Sequence, residues 1–288
     1  MDYIIHIVIL ISIFSTLSIS LNLVVGYTGL LSVTQAAFYG VGAYVVGLGL
    51  TALNLNFFVA MILGVIVTAI VAFLMGIVLS KFRDDYYALA TFGFNIILYS
   101  VMLNWQEVTR GPLGVPGIAK PELFGIDFGN NGVFLLLTLI IAGLVYWIAQ
   151  GIARSSFGRV LRAIREDEQA IQVFGYRTVS YKLLIFVISA GLAALGGALF
   201  ASYITFIDPS SFILMESVFI LAMVILGGLA DNQGAIIGAL IMVLLPELPR
   251  FVGFPTEIAG QMRQLVYGLL LVVLMLYRPQ GILGKFKL

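Results

Sequence analysis

The sequence predicts an all-α, polytopic transmembrane protein of about nine apolar segments, the second reading equally as a plain span, a broken span or a re-entrant segment. Three observations carry this. Of 288 residues, 61% are hydrophobic and 10% charged, where soluble domains carry about 45–50% apolar and about 25% charged residues. Fifteen Lys and Arg against fourteen Asp and Glu leave a formal charge of +1. That supplies neither a basic surplus for nucleic acid nor an acidic surplus for a solvated disordered chain. The apolar residues also fall in runs long enough to cross about 30 Å of hydrocarbon, bounded by charge, glycine or proline. Zero cysteines and a single histidine, His6, exclude disulfide scaffolds, thiolate metal sites, cysteine nucleophiles and histidine-based triads. No metal site and no catalytic group is expected.

The first run, Ile4 to Val25, has Asp2 and no Lys or Arg before it and no small-residue cleavage pattern after it. It is expected to be a retained span rather than a signal peptide. The second, Leu30 to Leu53, is dense in glycine and opens on polar residues, which leaves its path through the bilayer open. Phe57 to Ser80, Tyr87 to Trp105, Val133 to Gln150, Leu183 to Phe206, Phe212 to Leu229, Ala235 to Phe251 and Leu265 to Tyr277 follow. Nine runs of about 20 residues use about 180 of the 288. Residues 1–288 are therefore expected to form one transmembrane domain with no soluble domain attached.

Lys and Arg set the orientation, because short loops rich in them stay in the cytoplasm. Lys81, Arg83, the segment from Arg154 to Lys182, and Arg278, Lys285 and Lys287 hold eleven of the fifteen. The other side has Arg110, Lys120, Arg250 and Arg263. Two connectors exceed a turn: an external one at about 106–132 and a cytoplasmic one at about 151–182. The side of the N-terminus depends on how the second run crosses.

A phosphate-binding loop of the Gly-x-x-x-x-Gly-Lys-Ser/Thr form is absent from the sequence, so the chain is not expected to hydrolyse ATP. Ion-coupled carriers place ionisable residues deep in their spans, whereas Glu216 and Glu247 lie near the ends of apolar runs. A transporting chain of this composition must take its energy from a partner.

Within the cytoplasmic connector, Asp167 is a candidate N-cap and Gly175 a candidate helix stop, with about two turns from Glu168 to Phe174 between them. Ile171 and Phe174, three apart, share a face able to enter a groove on a soluble partner. A docking element and a plain solvated connector both fit these residues. Arg154, Arg159, Arg162 and Arg165 read mainly as topology determinants lying against lipid headgroups.

Small residues allow helix backbones to approach in lipid. Ala190, Ala194 and Ala198 recur every fourth residue beside Gly191, Gly196 and Gly197, and Gly227, Gly228, Gly234 and Gly238 surround the turn at Asp231. Gly40, Gly42, Gly47 and Gly49 mark the second run. Packing does not account for the polar cluster Thr28, Ser32, Thr34 and Gln35 at the start of that run. It fits pathway lining and structural hydrogen bonding alike.

Gly26-Tyr27-Thr28-Gly29, Ser32, Ala36-Ala37-Phe38 and Gly42-Ala43-Tyr44 together resemble the opening signature of branched-chain amino acid ABC importer permeases of the LivM type. Thr109-Arg110-Gly111-Pro112 with Gly114 and Pro116-Gly117 is similar to that family's external loop. Arg165-Glu166-Asp167-Glu168 through Gly175 to Tyr181-Lys182 is similar to its cytoplasmic coupling segment. Ile225-Leu226-Gly227-Gly228 and Arg278-Pro279-Gln280-Gly281-Ile282-Leu283-Gly284 complete the set, from about residue 20 to the end. Departures fall at Leu30 and Thr34-Gln35, where the family commonly carries glutamine and glycine-histidine. The Glu-Ala-Ala docking motif of other ABC importers survives only as Glu168, Ala170 and Gly175.

The resemblance implies half of a transmembrane heterodimer in a prokaryotic cytoplasmic membrane. Its partners would be a second related permease, two cytoplasmic ATPase subunits carrying ATP and Mg, and an external substrate-binding protein. It implies ATPase coupling through Glu166, Asp167, Glu168, Ala170, Ile171, Phe174 and Gly175, and import of leucine, isoleucine and valine. Importers of urea, short amides or simple sugars with the same architecture, and a self-sufficient channel, are the alternatives.

Overall fold

The computed structural model describes residues 2–82, 84–123, 126–245, 268 and 280–284. The run at Leu265–Tyr277, the end of Ala235–Phe251, Glu247, and the basic residues Arg83, Arg250, Arg263, Arg278, Lys285 and Lys287 lie outside the described residues, as does Pro279. Among those described, six helices are long and apolar enough to cross a membrane. They are α1 (Asp2–Thr28), α3 (Phe57–Leu79), α4 (Asp84–Asn104), α6 (Asn131–Arg154), α9 (Thr178–Ile204), and α10 (Leu214–Gly227) with the 3-10 turn Pro209–Phe212 before it. They match the first, third, fourth, fifth, sixth and seventh expected runs. The eighth begins as α11 (Asn232–Leu244).

The second run departs from a single span. Its helix α2 is Gln35–Thr51, of 17 residues, and Gly29–Thr34 before it is not helical. Gly29 turns the chain at φ +74°, in the left-handed region that glycine enters without cost. The Gln35 side chain then donates to Ser20 Oγ at 2.6 Å. Ser20 lies eight residues, about 12 Å, back along α1 from Thr28, so α2 starts deep among the helices. The run is a broken span, with a non-helical first part and a helical second part.

α1 and α9, each of 27 residues, form the centre. From Ser12 onward α1 is buried around most of its circumference, its polar Thr16, Ser18, Ser20 and Asn22 included, as expected of a helix packed on all sides. α3 is peripheral: Ala60, Gly64, Thr68, Ala72 and Gly76, spaced by four, face inward, while Ile62, Ile66, Ile70, Phe73, Leu74 and Ile77 are exposed. An apolar outer face of this kind is matched to lipid.

The small residues sit at the closest approaches. A Cβ on Gly42 would lie 2.5 Å from Ala194 Cα, and one on Gly197 would overlap the Tyr39 carbonyl oxygen. Ala190, Ala194 and Ala198 are buried in this α9 surface. Gly227 and Gly234 meet backbone to backbone where α10 turns into α11. Gly228, at φ +115°, packs on Gly284. The N–H groups of Ile282 and Leu283 donate to the carbonyls of Leu226 and Gly227 at 2.9 and 3.0 Å. The segment 280–284 thereby caps the end of α10, whose last carbonyls have no intrahelical partner.

The 106–132 connector is structured rather than open loop. It contains α5 (Gln106–Thr109), the 3-10 turn Gly111–Leu113, β1 (Val115–Pro116), β2 (Glu122–Leu123) and β3 (Ile126–Asp127). β1 pairs antiparallel with β4 (Phe206–Ile207), just after α9. His6 Nδ1 is 2.6 Å from Tyr203 Oη near the end of α9. The N-terminal end of α1 therefore shares a face of the bundle with the 106–132 connector, opposite the 151–182 connector.

Gly197→Val is expected to lower the midpoint of thermal unfolding in detergent markedly, by more than about 2 kcal/mol of stability, because backbone rather than a movable side chain opposes the new atoms. Gly143→Ala, in α6 with open space around it, is expected to leave stability unchanged or raise it slightly.

Candidate functional site

The broken span leaves backbone amides without a helix among apolar residues, where an unpaired peptide group is costly. Neighbouring helices supply the partners. Thr91 Oγ1 on α4 accepts from Val33 N at 3.3 Å. Asn95 Nδ2 donates to Val33 O at 2.8 Å and to Ser217 Oγ on α10 at 2.7 Å. Ser217 Oγ also accepts from Ala36 N at 2.8 Å, and Thr91, Asn95 and Ser217 are fully buried. Thr28 Oγ1 donates to Val24 O at 2.7 Å and accepts from Leu30 N at 3.3 Å. Ser32 and Thr34 hydroxyls pair at 3.0 Å.

Thr28, Ser32, Thr34 and Gln35 are each at most 4% exposed and each hydrogen-bonded within this chain, but of the four only Ser32 and Thr34 bond each other, Thr28 being tied near the end of α1 and Gln35 to Ser20 deeper along it. Sequence reading did not find Thr91, Asn95 and Ser217. Their signal was that of lone polar side chains inside apolar runs. Asn95 Oδ1 has no partner among the described residues.

At the end of α1, the 151–182 connector folds as α7 (Ser156–Glu166) and α8 (Glu168–Val173). Ser155 Oγ caps α7 by accepting from Gly158 N at 3.2 Å, and Asp167 Oδ1 caps α8 by accepting from Ala170 N at 3.0 Å. Gly175 stops it at φ +86°. Val173 and Phe174 are 87% and 78% exposed, whereas Ile171 is half-buried. The exposed apolar pair is Val173 with Phe174, not Ile171 with Phe174. Glu166 is exposed and Ala170 half-buried. Glu168 is turned inward: it forms an ion pair with Lys182 on α9 and accepts from Thr178 Oγ1 at 2.8 Å.

Arg165 corrects the expectation of a guanidinium lying against headgroups. It is half-buried, and its Nη1 donates to the Gly26 carbonyl near the end of α1. Burial holds the guanidinium below the usual arginine range. Arg162 likewise turns back, donating to Ala153 O at 3.1 Å. A cleft of about 340 Å³ separates the two regions. Thr28, Gly29 and Leu30 line one side, and residues 164–169 with Lys182 the other. Among the described residues no three His, Asp or Glu gather to hold a metal ion.

Residues 3–275 match the family model of the branched-chain amino acid transport system permease component. The chain belongs to this family. It is 34% identical to the high-affinity branched-chain amino acid transport system permease protein LivM of Escherichia coli, over 94% of this chain and 68% of that protein. It is 25% identical to a probable LivM of Methanocaldococcus jannaschii, over 93% and 89%. The autoinducer 2 import system permease protein LsrC of Salmonella typhimurium is 32% identical over 53% of this chain and 43% of its own. No solved structure matches. These relatives are permease subunits of transport systems and not enzymes, and this permease is a multi-pass membrane protein.

Asn95→Leu is expected to cost about 1–3 kcal/mol, because it strips a buried carbonyl and a buried hydroxyl of their donor. The loss is read as a lower unfolding midpoint in detergent. Ser15→Ala removes a buried hydroxyl with no partner among the described residues, and is expected to be neutral or stabilising.

Proposed function

We propose that this chain forms half of the translocation pathway of an ATP-binding-cassette importer for leucine, isoleucine and valine. Its family membership across residues 3–275, with 34% identity to LivM, is the observation that carries the reading. The assembly pairs it with a second related permease in a prokaryotic inner membrane. Two cytoplasmic ATPase subunits bind and hydrolyse ATP with Mg, and an external binding protein delivers the amino acid. In this reading residues 1–288 are one transmembrane domain of about nine apolar segments. The 106–132 connector and the start of α1 face outward, and the 151–182 connector faces the cytoplasm, in keeping with its basic residues.

The cycle follows from the local chemistry. The ATPase pair receives Val173 and Phe174, the exposed apolar tip of the 166–175 segment. Asp167 keeps α8 helical, Gly175 ends it, and Glu168 fastens it to α9 through Lys182. ATP-driven closure of the ATPase pair displaces α8 as a rigid body and, through it, the helices that bound the broken span. Thr28, Ser32, Thr34 and Gln35 exchange hydrogen bonds as the pathway switches from outward to inward facing. The residues Ala190, Ala194, Ala198, Gly227 and Gly228 hold the helices between which this occurs. A binding protein supplies selectivity, so the pathway needs no tight site of its own.

Two measurements on the complex in proteoliposomes test this. Leucine uptake is expected to require ATP and the binding protein, and to be competed by isoleucine and valine but not by urea, short amides or simple sugars. Competition by those solutes alone would overturn the substrate assignment. Val173→Ser with Phe174→Ser, which touches no internal contact of α8 named above, is expected to weaken ATPase co-purification and lower uptake about tenfold or more, the cost of removing two buried apolar anchors. Unchanged uptake would overturn the docking role.

A further inference from the structure

The negative end of α1 is held by a residue 139 positions away. α1 has no basic residue in its own last turn, and its final carbonyls lack intrahelical donors. Gly26 O is one of these, because Leu30 N, four residues on, is taken by Thr28 Oγ1 at 3.3 Å. Arg165 supplies the missing donor through Nη1, placing a cation where the helix dipole favours one. Its stem crosses Gly29, where a Cβ would lie 3.0 Å from Arg165 Cγ. The same Gly29, at φ +74°, is the turn that begins the broken span.

Arg165 is also two residues before Asp167, the cap of α8. The other attachment of α8 runs through Glu168 to Thr178 and Lys182, at the start of α9. A displacement of α8 that carries α7 with it therefore either drags the end of α1 along or breaks the Arg165–Gly26 bond. Both outcomes change the cleft between Thr28–Leu30 and residues 164–169.

We infer that Arg165 is the positioning residue that transmits movement of α8 to the end of α1, and so to the break at Gly29–Thr34. This rests on the reading of 151–182 as the ATPase-coupling connector. Arg165 has no part in binding ATP or the amino acid; it sets where the α1 terminus stands relative to α8.

The test uses Leu30→Cys in this cysteine-free chain, in the complete complex in proteoliposomes with cysteine-free partners. Labelling by a water-soluble maleimide is timed with and without ATP and vanadate. With Arg165 present, the labelling rate is expected to differ about tenfold between the two conditions, as for an ordinary coupling between sites. With Arg165→Gln the difference is expected to fall below about twofold and uptake per ATP to drop, while hydrolysis persists. Arg165→Lys, which keeps a donor and a charge, is expected to restore part of both. Gly29→Ala, which displaces the stem and leaves the guanidinium intact, is expected to reproduce the loss.

Native nucleotide dependence and native uptake per ATP in Arg165→Gln would overturn the inference. Should that variant fail to assemble, the same native behaviour in Gly29→Ala would overturn it. A Leu30→Cys complex that shows ATP-dependent leucine uptake but no nucleotide-dependent labelling overturns the inference and leaves the importer standing. Failure of uptake in the unsubstituted complex counts against the importer reading instead.

Discussion

A peptide segment packed among apolar helices must find a partner for each of its own N–H and C=O groups, and between the Gly29 N–H, which still bonds back to Val25 O, and the Thr34 carbonyl, which starts α2, the stretch Leu30–Val33 has no helical ladder to supply them. That constraint organises much of the bundle. Val33 is bonded through both of its backbone groups by α4, using Thr91 and Asn95. Asn95 is in turn bonded to Ser217 on α10, and Ser217 accepts the first free N–H of α2 at Ala36. Three helices distant in sequence must therefore meet at one depth. For them to do so, α2 has to lie against α9 at backbone distance, which is what Gly42, Ala194 and Gly197 permit.

The sequence made the outline legible because its signals were local. Apolar runs located six spans to within a few residues, since charge and turn residues mark where a helix leaves the bilayer. Asp167 and Gly175 located α8, because a cap and a left-handed stop act on residues three or four away. The polarity of Thr28, Ser32, Thr34 and Gln35 drew attention to the second run, although it did not distinguish a break from a re-entrant turn. What was not legible depends on partners far along the chain. Asn95 looked like any isolated polar residue until Val33 and Ser217 stood beside it, and Arg165 looked like its neighbours Arg154 and Arg159 until Gly26 did. Exposure at the tip is also a matter of tertiary packing: a spacing of three pairs Ile171 with Phe174, while in the fold Ile171 is half-buried and Val173 stands exposed beside Phe174.

The 151–182 connector is attached to the centre of the bundle rather than to its rim. Arg165 reaches the end of α1, and Glu168 reaches the start of α9. These are the two 27-residue helices, the most buried of the six membrane-length helices among the described residues. The lipid-facing helices α3 and α4 have no such tie to α8 among the hydrogen bonds and ion pair described above. Under the proposed docking role, force applied at Val173 and Phe174 would enter where it moves the packed interior, and the outer helices could remain matched to the bilayer. A connector fastened to a peripheral helix would spend the same displacement on sliding against lipid.

In the proposed cycle, the chemistry of the break would let one segment serve two conformations. Thr28, Ser32, Thr34, Gln35, Asn95 and Ser217 are polar but uncharged, and each hydroxyl or amide can exchange one partner for another or for water. A buried charge does not exchange so cheaply, because losing its partner leaves the full desolvation penalty. Neutral donors and acceptors therefore keep the energies of the two arrangements close, which is what a gate moved from outside requires. The charged residues Arg165, Glu168 and Lys182 are confined to the connector end, where their hydrogen bonds fix geometry without crossing the apolar interior. In the proposed cycle this division would place the conformational freedom in the break and the rigid ties at the 151–182 connector.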